Sequence, residues 1–176
     1  MGLWRSRDRK IGMAKDVGWV PTPKQIECGL TDKDEYVRRA WVRRMDYVPT
    51  QNQINRGLLD TDWLVRFLWS SRMDYTPSPS HVELGLADDH SVVRGAWAER
   101  LDWTPTYEQV EKGLSDPWPS IVVSWINRMD WMETAKDVEA GLISYHESVR
   151  IAWMNRIKVK SDNVMEDNSE HHLPSI

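Results

Sequence analysis

The sequence predicts an all-α chain, a short right-handed α-solenoid of five tandem two-helix repeats. Three observations predict it. Gly29, Gly57, Gly85, Gly113 and Gly141 lie 28 residues apart with no insertion, and the same step links Trp41, Trp69, Trp97, Trp125 and Trp153. It also links Arg44, Arg72, Arg100, Arg128 and Arg156, so the period holds for small, aromatic and charged positions alike. Finally, each interval carries signals for two short helices, and a pair of helices that short buries its apolar stripe only by stacking on its neighbours.

Residues 1–18 read as a basic N-terminal cap, and the repeats as 19–46, 47–74, 75–102, 103–130 and 131–158. An aromatic opens each one: Trp19, Tyr47, Tyr75, Trp103 and Trp131. Thr22-Pro23-Lys24-Gln25 is a capping box with Pro at the first helical position. Thr50 with Gln53 and Thr106 with Gln109 repeat the box, and Ser78-Pro79 keeps its first half. Ile26 and Leu30 share a face of the first helix; Gly29 either ends it in a left-handed turn or admits a close neighbour. Asp32, Asp60, Asp88, Asp116 and Ser144 are expected to cap the second helix. There Val37, Ala40, Trp41 and Arg44 make one stripe, and the Trp column, with the Met or Leu four residues on, is the expected spine. Pro49, Pro77 and Pro105 block continuation. The segment 159–176 reads as a disordered acidic tail.

Gly29-Leu30-Thr31-Asp32 followed by Val37-Arg38-Arg39-Ala40 resembles the Leu-x-Asp…Val-Arg-x-x-Ala signature of HEAT repeats. The order of helix, Asp, Val-Arg and Pro-bounded turn is also similar to the leucine-rich repeat variant. The resemblance implies a HEAT/armadillo-like superhelix and an Asp–Arg ladder between neighbouring repeats. Asp32 with Arg38, Asp60 with Arg66 and Asp88 with Arg94 fit the ladder, whereas repeat 4 has Val122 for the Arg and repeat 5 has Ser144 for the Asp. The 28-residue period matches neither family's usual length, and the lone Cys28 has no counterpart to the iron–sulphur cysteines of some variant proteins.

The composition narrows the function. The 176 residues include 11 Trp, of which eight fall in two repeat columns, leaving Trp4, Trp63 and Trp118. One Cys excludes a disulfide framework and suits a reducing, cytoplasmic setting. No apolar run approaches the roughly 20 residues that cross a bilayer. No Gly-rich phosphate loop stands outside the repeat, His81, His90 and His146 lack metal-ligand spacing, and His171-His172 lies in the tail. The chain is therefore read as a non-enzyme, with no catalytic residue, cofactor or metal. Met1-Gly2-Leu3-Trp4-Arg5-Ser6 also fits an N-myristoylation pattern, against the reading of a plain basic cap.

The expected function is a scaffold that binds another protein through its stacked second helices. The face opposite the core stripe reads Arg39-Val42-Arg43, Phe67-Ser70-Ser71, Gly95-Ala98-Glu99, Val123-Ile126-Asn127 and Ile151-Met154-Asn155. Arg39 and Arg43 open this row, and Phe67, Val123, Ile126, Ile151 and Met154 form its apolar contact patch. Trp63 and Trp118 are interface anchors or gap-fillers beside Pro117 and Pro119. Two alternatives stand beside this reading. One is nucleic-acid binding through the Arg rows and the basic N-terminus, against a net charge of −4. The other is a small acidic inhibitor, of anti-defence type, that occupies a partner's nucleic-acid site. Ile143, Ile151 and Met154 leave repeat 5 apolar, so either the tail covers that end or two chains meet there as a homodimer.

Overall fold

The structure, a computed structural model, describes residues 6–169; Gly2, Trp4 and His171-His172 lie outside them. Among the described residues there are eleven helices and no strand. The chain divides into two compact units, residues 1–102 and 103–176.

The first unit holds α1 (Arg7–Lys15) and three pairs: α2 (Pro23–Leu30) with α3 (Glu35–Val42), α4 (Gln51–Leu58) with α5 (Trp63–Ser70), and α6 (Pro79–Leu86) with α7 (Ser91–Glu99). The second holds α8 (Tyr107–Leu114) with α9 (Pro119–Asn127), and α10 (Ala135–Leu142) with α11 (Glu147–Ser169). Within each unit, sequential packing joins a helix to its pair-mate and to the equivalent helix of the adjacent pair.

The predicted capping boxes form at Thr22/Gln25, Thr50/Gln53 and Thr106/Gln109, and two more appear at Ser78/His81 and Thr134/Asp137. Any N3 side chain with an acceptor closes the box: His81 Nδ1 takes the Ser78 N–H at 3.3 Å and Asp137 takes the Thr134 N–H at 2.7 Å.

The repeated glycine is a matter of space. No described glycine has positive φ, so the left-handed turn is not used. A Cβ on Gly57 would lie 2.0 Å from Trp69 Nε1, and one on Gly85 1.9 Å from Trp97 Nε1. The indole of each second helix therefore lies flat on the bare backbone of its own first helix, fully out of water. The opening tryptophans meet these indoles edge-on, Trp19 against Trp41 at 6.2 Å, Trp103 against Trp125 at 6.1 Å and Trp131 against Trp153 at 6.1 Å.

Three expectations are corrected. The second helices are capped two residues later than expected, at Asp34, Asp62, His90 and Trp118. Asp32 and Asp60 instead accept the N–H two residues on, at 3.0 and 2.9 Å, shaping the turn. The Met/Leu column leaves the core because α3 and α5 stop at Val42 and Ser70, before the fourth-residue contact is reached. Finally, the segment from Val159 to Ser169 continues α11 rather than forming a tail. No Pro follows Arg156 until Pro174, and Glu133 receives Lys160 from this extension.

α1 is more than a basic cap. It occupies the place of a second helix. Lys10 pairs with Asp32 across 22 residues, as Arg38 does with Asp60 and Arg66 with Asp88. Arg44 donates to the carbonyls of Ala14 and Asp16 at 3.4 and 3.0 Å, as Arg72 does to those of Val42 and Arg44 at 2.7 Å each.

Candidate protein interface

Most of the recurring charges belong to the scaffold. Within the first unit the Asp–Arg ladder is present and bidentate. Arg38 Nε and Nη2 each reach Asp60 at 2.7 Å, while its Nη1 donates to the Asp32 carbonyl at 2.8 Å; Arg66 repeats this with Asp88 and Asp60. Arg44, Arg72, Arg100, Arg128 and Arg156 are all buried. Arg44, Arg72, Arg100 and Arg156 each cap carbonyls at the preceding second-helix end and close onto an acid: Arg100 on Ser70 O, Arg72 O and Asp102, Arg156 on Ile126 O, Trp131 O and Glu133. Arg128 donates to Trp103 O and closes onto Asp130. A guanidinium so engaged has no donor facing solvent for a phosphate. The Arg44 hydrogen bond holds Asp46 below the usual carboxylate range, as the Arg39 bond does for Asp62.

The residue after each buried Arg points the other way. After α7 and α9 the chain is extended (Arg100 has φ −69° and ψ 132°), so successive side chains alternate there, Arg inward and Leu or Met outward. In the first unit Met45 and Met73 are each 61% exposed and Leu101 is 72% exposed. Val17 holds the same position after α1 and is also exposed. In the second unit Met129 holds it after α9, and Ile157 is the equivalent residue within α11.

Val17 and Met45 rim a groove of about 760 Å³ between α1 and α3. Ile11, Ala14 and Ala40 supply its apolar floor, and Leu64 of α5 closes one side. α3 supplies Tyr36, Arg39 and Ala40, and its C-cap residue Arg43 continues the same face. Arg39 is fixed by Asp62 at 2.8 and 2.5 Å and lies 4.7 Å from the Tyr36 ring centroid, where Arg7 also stacks at 4.1 Å. Arg43 and Lys15 are exposed and form no ion pair among the described residues. The groove thus has an apolar floor, a fixed aromatic–guanidinium wall and two free cations at its rim.

The expected contact residues divide. Arg39 and Arg43 come together in this groove. Phe67 and Val123 are half-buried. Ile126 is fully buried, which removes it from the solvent-facing patch: the packing of α11 on α9 covers its side of the helix. Ile151 and Met154 are exposed on α11. Trp63 stacks flat on His90 with centroids 3.9 Å apart, and Trp118 is exposed at the start of α9 rather than sealing a gap. Sequence reasoning missed Val17, Met45, Met73 and Leu101, whose signal is the same 28-residue step one place beyond the Arg column.

The chain matches no protein family, curated protein or solved structure closely enough to establish a relationship. Among the described residues no cluster of three or more metal-ligating side chains occurs, and no helix is long and apolar enough to cross a membrane.

Proposed function

We propose that the chain is a non-enzymatic protein-binding module, a HEAT-like α-solenoid of five repeats, whose binding surface is the groove between α1 and α3 and the Met/Leu ridge beside it. The observation that carries this reading is the ridge itself. An apolar residue recurs at the exits of α1, α3, α5, α7 and α9 and stays in water. Methionine suits such a surface because its flexible thioether conforms to irregular partners. Arg43 and Lys15 at the rim favour a partner segment that joins apolar side chains to acidic ones. The single exposed thiol, Cys28, accords with a cytoplasmic setting. Nucleic-acid binding is the weaker reading, because the Arg column it needs is spent on carbonyls and carboxylates.

Affinity capture from the native host with the parent chain and with Met45→Asp/Met73→Asp tests the proposal. A protein partner retained at high salt by the parent and lost by the variant is expected. Equal capture by both, or a complex dissolved by moderate salt and carrying nucleic acid, refutes it.

A further inference from the structure

The outer side of α11 is a stacking surface on which no further helix pair packs among the described residues. Where a second helix has a following pair in its own unit, its outer position is covered: Val42 and Ser70 are buried beneath α5 and α7, and Ile126 beneath α11. On α11 the equivalent Met154 is 52% exposed, and Ile151 beside it 44%. Arg150 shows the same incompleteness. Its Nη1 donates to the Ser144 and Tyr145 carbonyls at 2.6 and 3.0 Å, the ladder orientation of Arg38 and Arg66. Yet it clasps no carboxylate among the described residues.

The chemistry of the stripe selects its occupant. Glu147, Ile151, Met154 and Lys158 follow one another at steps of four, three and four along one side of the helix. This order is complementary to its own reverse. Two such helices placed antiparallel about the midpoint between Ile151 and Met154 oppose Glu147 to Lys158, Ile151 to Met154 and Lys158 to Glu147. A parallel arrangement sets like charges against each other. Neither Glu147 nor Lys158 has an ion-pair partner among the described residues. We infer that a second copy of the chain covers this face, α11 against α11, in an antiparallel two-fold contact. The contact is independent of the groove on the first unit, so either assignment stands or falls without the other.

Light scattering after size exclusion and equilibrium sedimentation of the full chain, from low to high micromolar, test this inference. The parent is expected to dimerise with concentration. Glu147→Lys and Lys158→Glu each replace two attractions by two repulsions and weaken the dimer about tenfold or more. The double variant restores the complementarity and recovers association, and so does mixing the two single variants. Met154→Asp abolishes the dimer while circular dichroism stays unchanged. A parent monomeric throughout, single reversals without effect, or a double variant no better than the singles overturns the inference.

Discussion

Replacing Gly85 by Ala adds one methyl group, and the structure says where it goes. The new carbon would lie 1.9 Å from Nε1, 2.0 Å from Cδ1 and 2.3 Å from Cε2 of Trp97. Carbon contacts are comfortable at about 3.5–4.0 Å, so the indole must retreat by roughly 1.5 Å. Trp97 is fully buried, and that displacement is opposed on every side. Overpacking of this kind costs about 1–3 kcal/mol or more, against a helix-propensity gain of up to about 1 kcal/mol. The net expectation is a loss of about 2 kcal/mol, or a Tm drop of about 4–8 °C for a chain of this size. Gly12→Ala is the control: nothing lies within 4 Å of its added carbon, so only the propensity gain remains. Urea titration followed by Trp fluorescence reads both. Trp97→Phe in the Gly85→Ala background should return part of the loss. Equal or greater stability of Gly85→Ala than of Gly12→Ala would refute the flat Gly–Trp contact.

Arg72→Met leaves the Val42 and Arg44 carbonyls and Asp74 without their shared donor, and a cost of about 3–5 kcal/mol is expected in the same titration; Arg72→Lys does not restore it, since an ammonium lacks the fork. In the second unit Val122→Arg combined with Ser144→Asp installs the missing ladder pair. Each single change destabilises, and the cycle should show a favourable coupling of about 1 kcal/mol. Burial, aided by Arg100, holds the His81 imidazole below its ordinary value, consistent with Nδ1 accepting the Ser78 N–H and Nε2 donating to Asn55 Oδ1 at 2.7 Å. The folded chain thus takes up this proton later than the unfolded one. The stability it confers is complete above about pH 6.5 and is lost as pH falls toward the lower folded value. His81→Gln, which supplies the side chain found at Gln25, Gln53 and Gln109, should flatten stability across that range, and an unchanged pH profile would exclude His81 as its source.

Features held within a few residues were legible. The capping boxes at Thr22, Thr50 and Thr106 need only a hydroxyl and a side chain three positions on, and they form as read. Features that depend on where a helix stops were not. Met45 shares a helical face with Trp41 only if the helix reaches it; the helix ends at Val42, and Met45 stands in solvent. Ile126 is buried by a neighbouring helix, a contact that no single helix's pattern reports. The half-repeat of α1 escaped notice because Met13 stands where the later repeats have Trp and Lys10 where they have Arg. Only the spacing survives there. Of the proposed interface, Arg39 and Arg43 were visible as a basic helix face, whereas the ridge beside them was mistaken for core.

The proposed surface is tested most directly by a photo-reactive methionine analogue placed singly at Met45, Met73 or Met154 in the native host. The groove-and-ridge assignment predicts that positions 45 and 73 cross-link to the same protein, at low and high salt alike. Cross-links from neither position, to unrelated proteins, or to nucleic acid would contradict it. Position 154 serves as the contrast, where the only product expected is a second copy of the chain.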